Sequence, residues 1–392
     1  MKMTLPEPDE FEQAHSAKLV SRIEDEICQQ GGYLPFQRYM EMVLYEPGLG
    51  YYAAGAQKFG ARGDFVTAPE LSSLFSICLA RQCAQVLETL TERACVLEIG
   101  AGSGVMAADI LAELERLECL PDHYYILELS AELKLRQRET LTAKLPHLVS
   151  SVRWLDTLEG LSLHGVVLAN EVLDAMPVQA FTVREEGVYE RGVTQVDGRL
   201  QWTEKPAAVE LVKQVRQLQQ GSDTHWLLPY HSELNPQLAG WMQTLAGCMS
   251  QAALLLVDYG YPRNEYYHWE RRQGTLIGHY HHRVTEDPFF YPGLQDLTAN
   301  VDFSAVAAAG EQAGLALAGY TSQAFFLLGN GLDHVYQDQP VDNDQQRIEL
   351  AREIKILTLP SEMGERFQAI GFTKCLDLSL QGFELRDMTY RL

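Results

Sequence analysis

Short apolar runs alternate with segments of helical periodicity from about residue 95 onward. The runs predict five strands, at 95–99, 124–129, 152–155, 165–169 and 253–259. Several run without polar alternation, as strands buried on both faces of a parallel sheet do. Because helical patterns separate most of them, we expect an α/β fold with a doubly wound, Rossmann-like sheet.

The pattern before this sheet is helical. Residues 14–30 form an amphipathic stretch that ends at two glycines, a common stop signal. Thr67 and Glu70 have the spacing of a capping box, and Pro69 suits a first helical turn. Apolar residues at helical spacing follow as far as residue 87. We therefore assign residues 1–90 to an N-terminal helical segment.

The alternation of strand and helix breaks between residues 178 and 250. Turn sequences at 185–187 and 197–198 each lie between strand-like runs, which predicts two hairpins. We interpret 178–250 as an insertion on the substrate side of the sheet. Residues 91–177 and 251–392 would then form the core.

The charge of the chain argues against one class of partner. The 392 residues carry 31 Lys and Arg against 53 Asp and Glu, a net charge of −22, and a nucleic acid partner is therefore not expected. The seven cysteines contain no C-x-x-C pair, so neither zinc nor a disulfide framework is indicated, and a reducing cytoplasm is expected. The acidic N-terminus resembles no signal or transit peptide. No apolar run approaches the ~20 residues of a membrane span, so no membrane partner is expected.

A glycine-rich turn follows the first predicted strand. Gly100, Gly102 and Gly104 let the backbone pass close to a ligand because no Cβ intervenes. Their spacing departs from the G-x-G-x-x-G of dinucleotide-binding turns. The carboxylate of Glu98, at the strand end, suits an ammonium group better than a pyrophosphate. The turn thus indicates a site for the amino acid end of S-adenosylmethionine, the alternative being a turn without a ligand.

The ends of the next two strands also carry acids, and ligands of open parallel sheets bind beyond the carboxyl ends of strands. Glu128 could accept hydrogen bonds from both ribose hydroxyls, or be a helix N-terminal charge stabilised by the dipole. Asp156 could accept from an adenine amino group, or lie in a surface turn.

The fourth strand ends in the sequence N-E-V-L-D-A, residues 170–175. Asn170 could cap a following helix, with Glu171 placed in its first turn for dipole reasons. Glu171 and Asp174 are three residues apart, so on a helix they share one face. A pair of carboxylates matches the planar donor fork of a guanidinium, and we favour this function over capping.

Three histidines lie further along, at positions 279, 281 and 282. No partner cysteine or H-E-x-x-H pattern accompanies them, and adjacent residues of a strand point to opposite sides, so we predict no metal site. His282 is the histidine that we expect to orient substrate or to act as a base.

Several ordered motifs make the chain resemble the MidA-like class I S-adenosylmethionine-dependent methyltransferases. The resemblance spans about 39–367 and rests on residues 39–53, 63–75, 98–104, 169–178, 258–261, 292–303 and 363–367. The family includes a mitochondrial arginine methyltransferase that assists assembly of respiratory complex I. The resemblance implies a class I fold, S-adenosylmethionine as donor, S-adenosylhomocysteine as product, and the 63–70 segment closing over the donor.

Departures from the family pattern lie mainly on the acceptor side, at Tyr189, Ile277, His279 and Asn300, besides Ala101 and Ser103 in the glycine turn. The candidate donor-binding residues are Thr67, Pro69, Glu70, Glu98, Gly100, Gly102, Gly104, Glu128, Leu129, Asp156 and Asn170. The candidate catalytic residues are Glu171, Asp174 and His282.

The leading hypothesis is a cytoplasmic methyltransferase acting on a protein with an exposed arginine, and a homodimer is left open. A small-molecule methyltransferase with the same donor is the second hypothesis. The third is an assembly factor that binds S-adenosylmethionine with little turnover, which the acidic surface and the 178–250 insertion would suit.

Overall fold

The computed structural model describes residues 5–54, 67–90, 94–221, 225–340 and 343–392. The chain divides into two compact units. Unit 1 comprises Met1–Phe65, Leu173–Gln237 and Tyr261–Asp302, and unit 2 comprises Val66–Val172, Leu238–Gly260 and Phe303–Leu392.

The described residues form helices and strands throughout. The helices are α1 Glu10–Gln29, α2 Phe36–Tyr45, α3 Ala68–Leu71, α4 Ser73–Leu87, α5 Val105–Arg116, α6 Ala131–Lys144, α7 Val209–Gln220, α8 Leu238–Cys248, α9 Arg263–Tyr266, α10 Phe303–Gln312, α11 Gln323–Gly329, α12 Leu332–Asp338, α13 Asp344–Thr358, α14 Met363–Arg366 and α15 Gln381–Glu384. The strands are β1 Leu34–Pro35, β2 Cys95–Ile99, β3 His123–Leu127, β4 Val152–Leu155, β5 Leu163–Asn170, β6 Gln179–Arg184, β7 Gly187–Val196, β8 Arg199–Pro206, β9 Tyr230–Leu234, β10 Met249–Tyr261, β11 Ile277–Tyr280, β12 Arg283–Thr285, β13 Asp296–Thr298, β14 Val301–Asp302, β15 Ala316–Ser322 and β16 Phe367–Lys374.

Unit 2 is built on a sheet with the strand order β15-β16-β10-β5-β2-β3-β4. The five strands from β10 to β4 are parallel, whereas β16 runs antiparallel to both of its neighbours. This confirms the predicted α/β, doubly wound fold, and all five predicted strands are present. The chain order reverses between β2 and β5, so the carboxyl ends of these two strands form the topological switch point where such sheets bind ligands.

The core of unit 2 explains why α4 groups with this sheet rather than with the predicted N-terminal segment 1–90. Leu74, Phe75 and Leu79 of α4 are buried in the same apolar cluster as Val96 of β2 and Val166 of β5. Each such side chain contributes about 1.5–3 kcal/mol when it leaves water. Helix α4 is therefore part of the layer that covers the sheet.

Unit 1 contains the two hairpins predicted around residues 185–187 and 197–198. They form a five-stranded sheet with the order β1-β7-β6-β9, in which β8 also pairs with β7, and a second sheet has the order β12-β11-β13. The segment Tyr261–Asp302 belongs to this unit, although it was assigned to the core 251–392. Its strand β13 buries Leu297 in one cluster with α1 and α2.

Helix α1 begins one turn earlier than the apolar pattern suggested. Asp9 accepts a hydrogen bond from the backbone nitrogen of Glu12 at 2.8 Å, and the Glu12 carboxylate accepts from the backbone nitrogen of Asp9 at 2.9 Å. This capping box satisfies two N–H groups that the first turn leaves free, so the helix starts at Glu10.

We predict that Gly165→Ala destabilises the protein more than Gly187→Ala. Both glycines have a φ of +146°, but an added Cβ would lie 1.8 Å from the carbonyl oxygen of Cys95 at Gly165, whereas nothing lies within 4 Å at Gly187. Both substitutions strain the backbone and so lower the stability of the protein, but only Gly165→Ala also forces β5 away from β2. We expect an extra loss of about 2 kcal/mol, measured by urea unfolding. Equal losses would show that the sheet absorbs the methyl group.

Candidate active site

The glycine turn connects β2 to α5 at the switch point of unit 2. Gly100, Gly102 and Gly104 have φ values of +69°, +52° and +83°, in the region that side chains disfavour. An added Cβ would lie 3.1 Å from Cγ2 of Val172 at Gly100 and 2.9 Å from Cα of Gln137 at Gly104. Backbone conformation favours glycine at all three positions, and packing adds to this at Gly100 and Gly104. The turn therefore leaves its backbone open to a ligand.

Glu98 is a completely buried carboxylate at the end of β2, with 0% of its surface exposed. The Tyr124 hydroxyl donates to its Oε2 at 2.6 Å, while Oε1 accepts no hydrogen bond from any described residue. Burial raises the pKa of Glu98 to about 7, and the nearby charge of Glu128 adds to this, while the Tyr124 hydrogen bond opposes it. A buried acceptor without a donor is costly, and an ammonium group would satisfy it. The residues present thus fit the amino acid end of the predicted donor.

Glu128 follows β3 and is 8% exposed. Its Oε1 accepts from the backbone nitrogen of Ser130 at 2.9 Å, and its Oε2 accepts from Nε2 of Gln137 at 3.0 Å. Burial raises the pKa of Glu128, although these hydrogen bonds and Lys134 oppose the shift. A carboxylate oxygen can accept two hydrogen bonds, so each retains capacity for a ribose hydroxyl. The next residue, Leu129, is 80% exposed and offers an apolar surface beside it.

Residues 67–70 adjoin the glycine turn, but not through the predicted capping box. Thr67 is the N-cap residue of α3 and its side chain makes no capping hydrogen bond, so that prediction was wrong. The Glu70 carboxylate accepts from the Ser103 hydroxyl instead, and Pro69 is buried. This bond ties α3 to the turn. Residues 63–66 of the predicted closing segment lie outside the described residues.

Asp156 follows β4 with a side chain that is 85% exposed. Its carboxylate forms an ion pair with Lys134 of α6. An exposed ion pair stabilises a protein little, so this contact neither requires nor prevents a role in binding adenine.

No helix forms in the described residues 171–178 between β5 and β6, so the predicted arrangement of Asn170, Glu171 and Asp174 was wrong. Glu171 has a φ of +52°, which a helix does not allow, and its backbone nitrogen donates to the carbonyl oxygen of Val257 at 2.9 Å. The chain therefore stays beside β10 for one more residue and then turns. Asn170 caps no helix, and Glu171 and Asp174 share no helical face.

The carboxyl end of β5 still carries a polar pair. Nδ2 of Asn170 donates to Oε1 of Glu171 at 3.1 Å, and Oδ1 of Asn170 is buried without a hydrogen-bond partner among the described residues. Both residues lie at the switch point, since Val172 contacts the glycine turn at Gly100.

Asp174 belongs to unit 1, where it is buried near a second carboxylate, Asp296. The Tyr52 hydroxyl donates to Oδ1 of Asp296 at 2.8 Å, and burial together with the charges of Asp296 and Asp174 raises the pKa of Tyr52 well above its usual value. Tyr45 stacks on Tyr52 with ring centroids 5.5 Å apart. Unit 1 thus buries two acids beside tyrosine rings.

His282 is exposed in the two-residue turn between β11 and β12, with a φ of +58° beside +48° for His281. Two positive φ values define the tight turn of a hairpin rather than a strand. This solvated position does not support the predicted role as a base. The described residues contain no group of three or more His, Cys, Asp or Glu side chains able to hold a metal ion.

Sequence reasoning missed Tyr124 and Gln137. Tyr124 lies two residues before Ile126, the register partner of Glu98, so strand alternation places it on the face of that carboxylate. Gln137 and Leu141 are the buried residues of α6, four apart on one face. A polar residue in the apolar stripe of a helix is the signal that could have identified Gln137.

Together these features define an α/β protein with a donor site at the switch point of a parallel sheet. Residues 78–321 match the family model described as an S-adenosyl-L-methionine-dependent methyltransferase. The chain belongs to this methyltransferase family, and its methyl donor is S-adenosylmethionine.

Similar proteins extend the comparison over most of the chain. Protein arginine methyltransferase NDUFAF7 of Danio rerio is 28% identical over 86% of this chain and 82% of its own length. The Homo sapiens protein of that name is 27% identical over 86% of this chain and 79% of its own length. Both names place those proteins in mitochondria.

A crystal structure from Burkholderia thailandensis, of a methyltransferase candidate bound to S-adenosylhomocysteine, is 43% identical with a TM-score of 0.93. The match covers 99% of this chain and 100% of that one. The strand order of unit 2, with the antiparallel β16, is accordingly that of a class I methyltransferase. No helix in the described ranges is long and apolar enough to cross a membrane.

We predict that the affinity for S-adenosylhomocysteine increases as the pH rises through about 7, the pKa of Glu98. Below that pH the carboxyl group is protonated and attracts the ligand's ammonium group weakly, whereas above it the carboxylate forms a charged hydrogen bond. Glu98→Gln should remove this dependence and weaken binding by about tenfold or more at pH 8. Calorimetry at pH 6, 7 and 8 measures both effects, with exposed Glu139→Gln as the control. A flat profile in the unaltered protein would contradict the assignment.

Proposed function

We propose that this enzyme transfers the methyl group of S-adenosylmethionine to an arginine side chain of a protein. The observation that carries the proposal is Glu171, a carboxylate at the carboxyl end of β5, one residue before the Val172 side chain that contacts the glycine turn. Its positive φ costs of the order of 1–3 kcal/mol, and such strain is concentrated at functional sites. The names of the relatives in Danio rerio and Homo sapiens support arginine as the acceptor.

For this methyl transfer, the protein mainly has to orient the donor and the acceptor. S-adenosylmethionine supplies a methyl group on a sulfonium; the carbon–sulfur bond breaks as the nitrogen–carbon bond forms, and the nitrogen loses a proton to solvent. Holding the acceptor nitrogen in line is the main contribution of the protein. A carboxylate at Glu171 would bind the guanidinium through its planar donor fork, and its bond from Asn170 fixes its direction.

Asp174, the other predicted catalytic carboxylate, belongs to unit 1 and makes its contacts there. Tyr52 donates to Asp296, and the backbone nitrogen of Ala299 donates to the carbonyl oxygen of Asp174 at 3.0 Å, which holds the Asp174 turn beside β13. The proposed contact to the acceptor therefore rests on Glu171, and not on Asp174 or Asp296. A protein partner follows from this proposal, whereas a homodimer and a cytoplasmic location stay predictions.

Tritium-labelled S-adenosylmethionine incubated with the enzyme and a lysate should label a discrete protein band. Acid hydrolysis of that band should release methylated arginine. Label confined to the low-mass fraction would contradict a protein substrate and favour a small-molecule acceptor. Donor binding without transfer to any fraction would favour an assembly factor with little turnover.

Glu171→Gln should leave the dissociation constant of S-adenosylhomocysteine within about twofold, because the donor contacts are elsewhere. The methyl transfer rate should fall by about 100-fold, since the amide keeps the shape of the side chain but loses the charge that orients the guanidinium. Single-turnover labelling of the identified band measures the rate. Glu159→Gln, an exposed carboxylate of the same unit, serves as the matched control. A rate equal to that of this control would show that Glu171 does not bind the acceptor.

A further inference from the structure

Gln137 of α6 is a fully buried polar side chain, with 0% of its surface exposed. Its Nε2 donates to the carbonyl oxygen of Gly102 at 3.1 Å and to Oε2 of Glu128 at 3.0 Å, and its Oε1 accepts from Nε1 of Trp154 at 2.8 Å. An amide nitrogen has two hydrogens, so both are used.

The three partners belong to neighbouring strands of the sheet. Gly102 lies in the turn after β2, Glu128 follows β3, and Trp154 is in β4. One side chain therefore links three adjacent strand ends, which is the edge where ligands of such sheets bind. An apolar residue of similar size would fill the space but could form none of these links.

Gln137 also contacts the glycine turn through its backbone. A Cβ on Gly104 would lie 2.9 Å from Cα of Gln137, so α6 and the turn are in direct van der Waals contact. The Thr140 hydroxyl, one turn further along α6, donates to the carbonyl oxygen of Ser103 at 2.8 Å. Helix α6 thus holds the turn at two points, and the Gln137 amide extends this hold to Glu128.

We propose that Gln137 is a positioning residue that orients the Glu128 carboxylate toward the ribose hydroxyls of the methyl donor. With Oε1 held by Ser130 and Oε2 held by Gln137, the carboxylate cannot rotate, and its remaining lone pairs have fixed directions. The inference rests on the proposed role of Glu128 in binding the donor, and not on the identity of the acceptor.

The test is calorimetric titration of Gln137→Leu with S-adenosylhomocysteine and with its 2′,3′-dideoxy analogue, which lacks the ribose hydroxyls. We expect the dissociation constant of S-adenosylhomocysteine to rise by about 10- to 30-fold, the size of one or two lost hydrogen bonds. The dissociation constant of the dideoxy analogue should change by less than about threefold, because that ligand makes no bond to Glu128. A purely structural defect would weaken both ligands equally.

Gln82 provides the matched control, since it is also a fully buried glutamine of unit 2. Its amide donates to Gln85 at 2.6 Å and accepts from the backbone nitrogen of Gly382 at 2.9 Å, outside the donor site. Gln82→Leu should lower the melting temperature and leave both dissociation constants unchanged. Gln137→Met provides a second, more flexible variant if Gln137→Leu fails to fold.

Equal weakening of both ligands, or no weakening of either, would overturn the proposal for Gln137. Glu128→Gln separates this from failure of the underlying assignment. If that variant binds S-adenosylhomocysteine as the unaltered protein does, Glu128 does not bind the ribose and the inference falls with it. Neither outcome bears on arginine as the acceptor, which the labelling experiment tests.

Discussion

The site depends on Glu98, a carboxylate buried at the end of the central strand β2. One of its two oxygens accepts no hydrogen bond within the part of the chain that the structure describes. Glu98 is excluded from solvent, and Tyr124 donates to only one of its oxygens. Desolvation therefore moves its pKa to about 7. Removing a carboxyl group from water stabilises nothing by itself, so the arrangement is explained by a ligand cation that completes it. The glycines that follow serve this purpose, because a bare turn lets the ligand reach the strand end.

The rest of unit 2 holds this edge rigid. The parallel strands bring Glu98, Glu128 and Asn170 to the same edge of the sheet, at the carboxyl ends of the strands. The reversal of strand order between β2 and β5 opens a space at this edge. Hydrogen bonds from Gln137 and from Ser103 then connect elements distant in sequence, α6 and α3, to the glycine turn. Because packing and these hydrogen bonds already hold the binding edge in place, it loses less conformational entropy when the donor binds.

The elements that were predicted correctly from the sequence are those with local causes. Periodicity identified the five parallel strands of unit 2, the helix α4 and both hairpins, because apolar spacing and turn residues act within a few positions. The prediction failed after β5, where a capping residue and acids at helical spacing suggested a helix. There, hydrogen bonding of Glu171 to Val257 of β10 extends the strand pairing, and tertiary contact overrides the local preference. Similarly, Glu70 bonds to Ser103 of the turn rather than completing a capping box.

The sequence by itself determined the fold class, the donor and the acids that end each strand, since these follow from patterns read along the chain. Only the tertiary structure decided how each acid is held: that Oε1 of Glu98 accepts no hydrogen bond from the described residues, that Gln137 donates to Glu128, and that His282 is exposed in a turn. It also placed Asp296 near Asp174, 122 positions earlier by their numbering. The physical reason is that burial and hydrogen-bond partnership depend on distant segments, which no local spacing encodes.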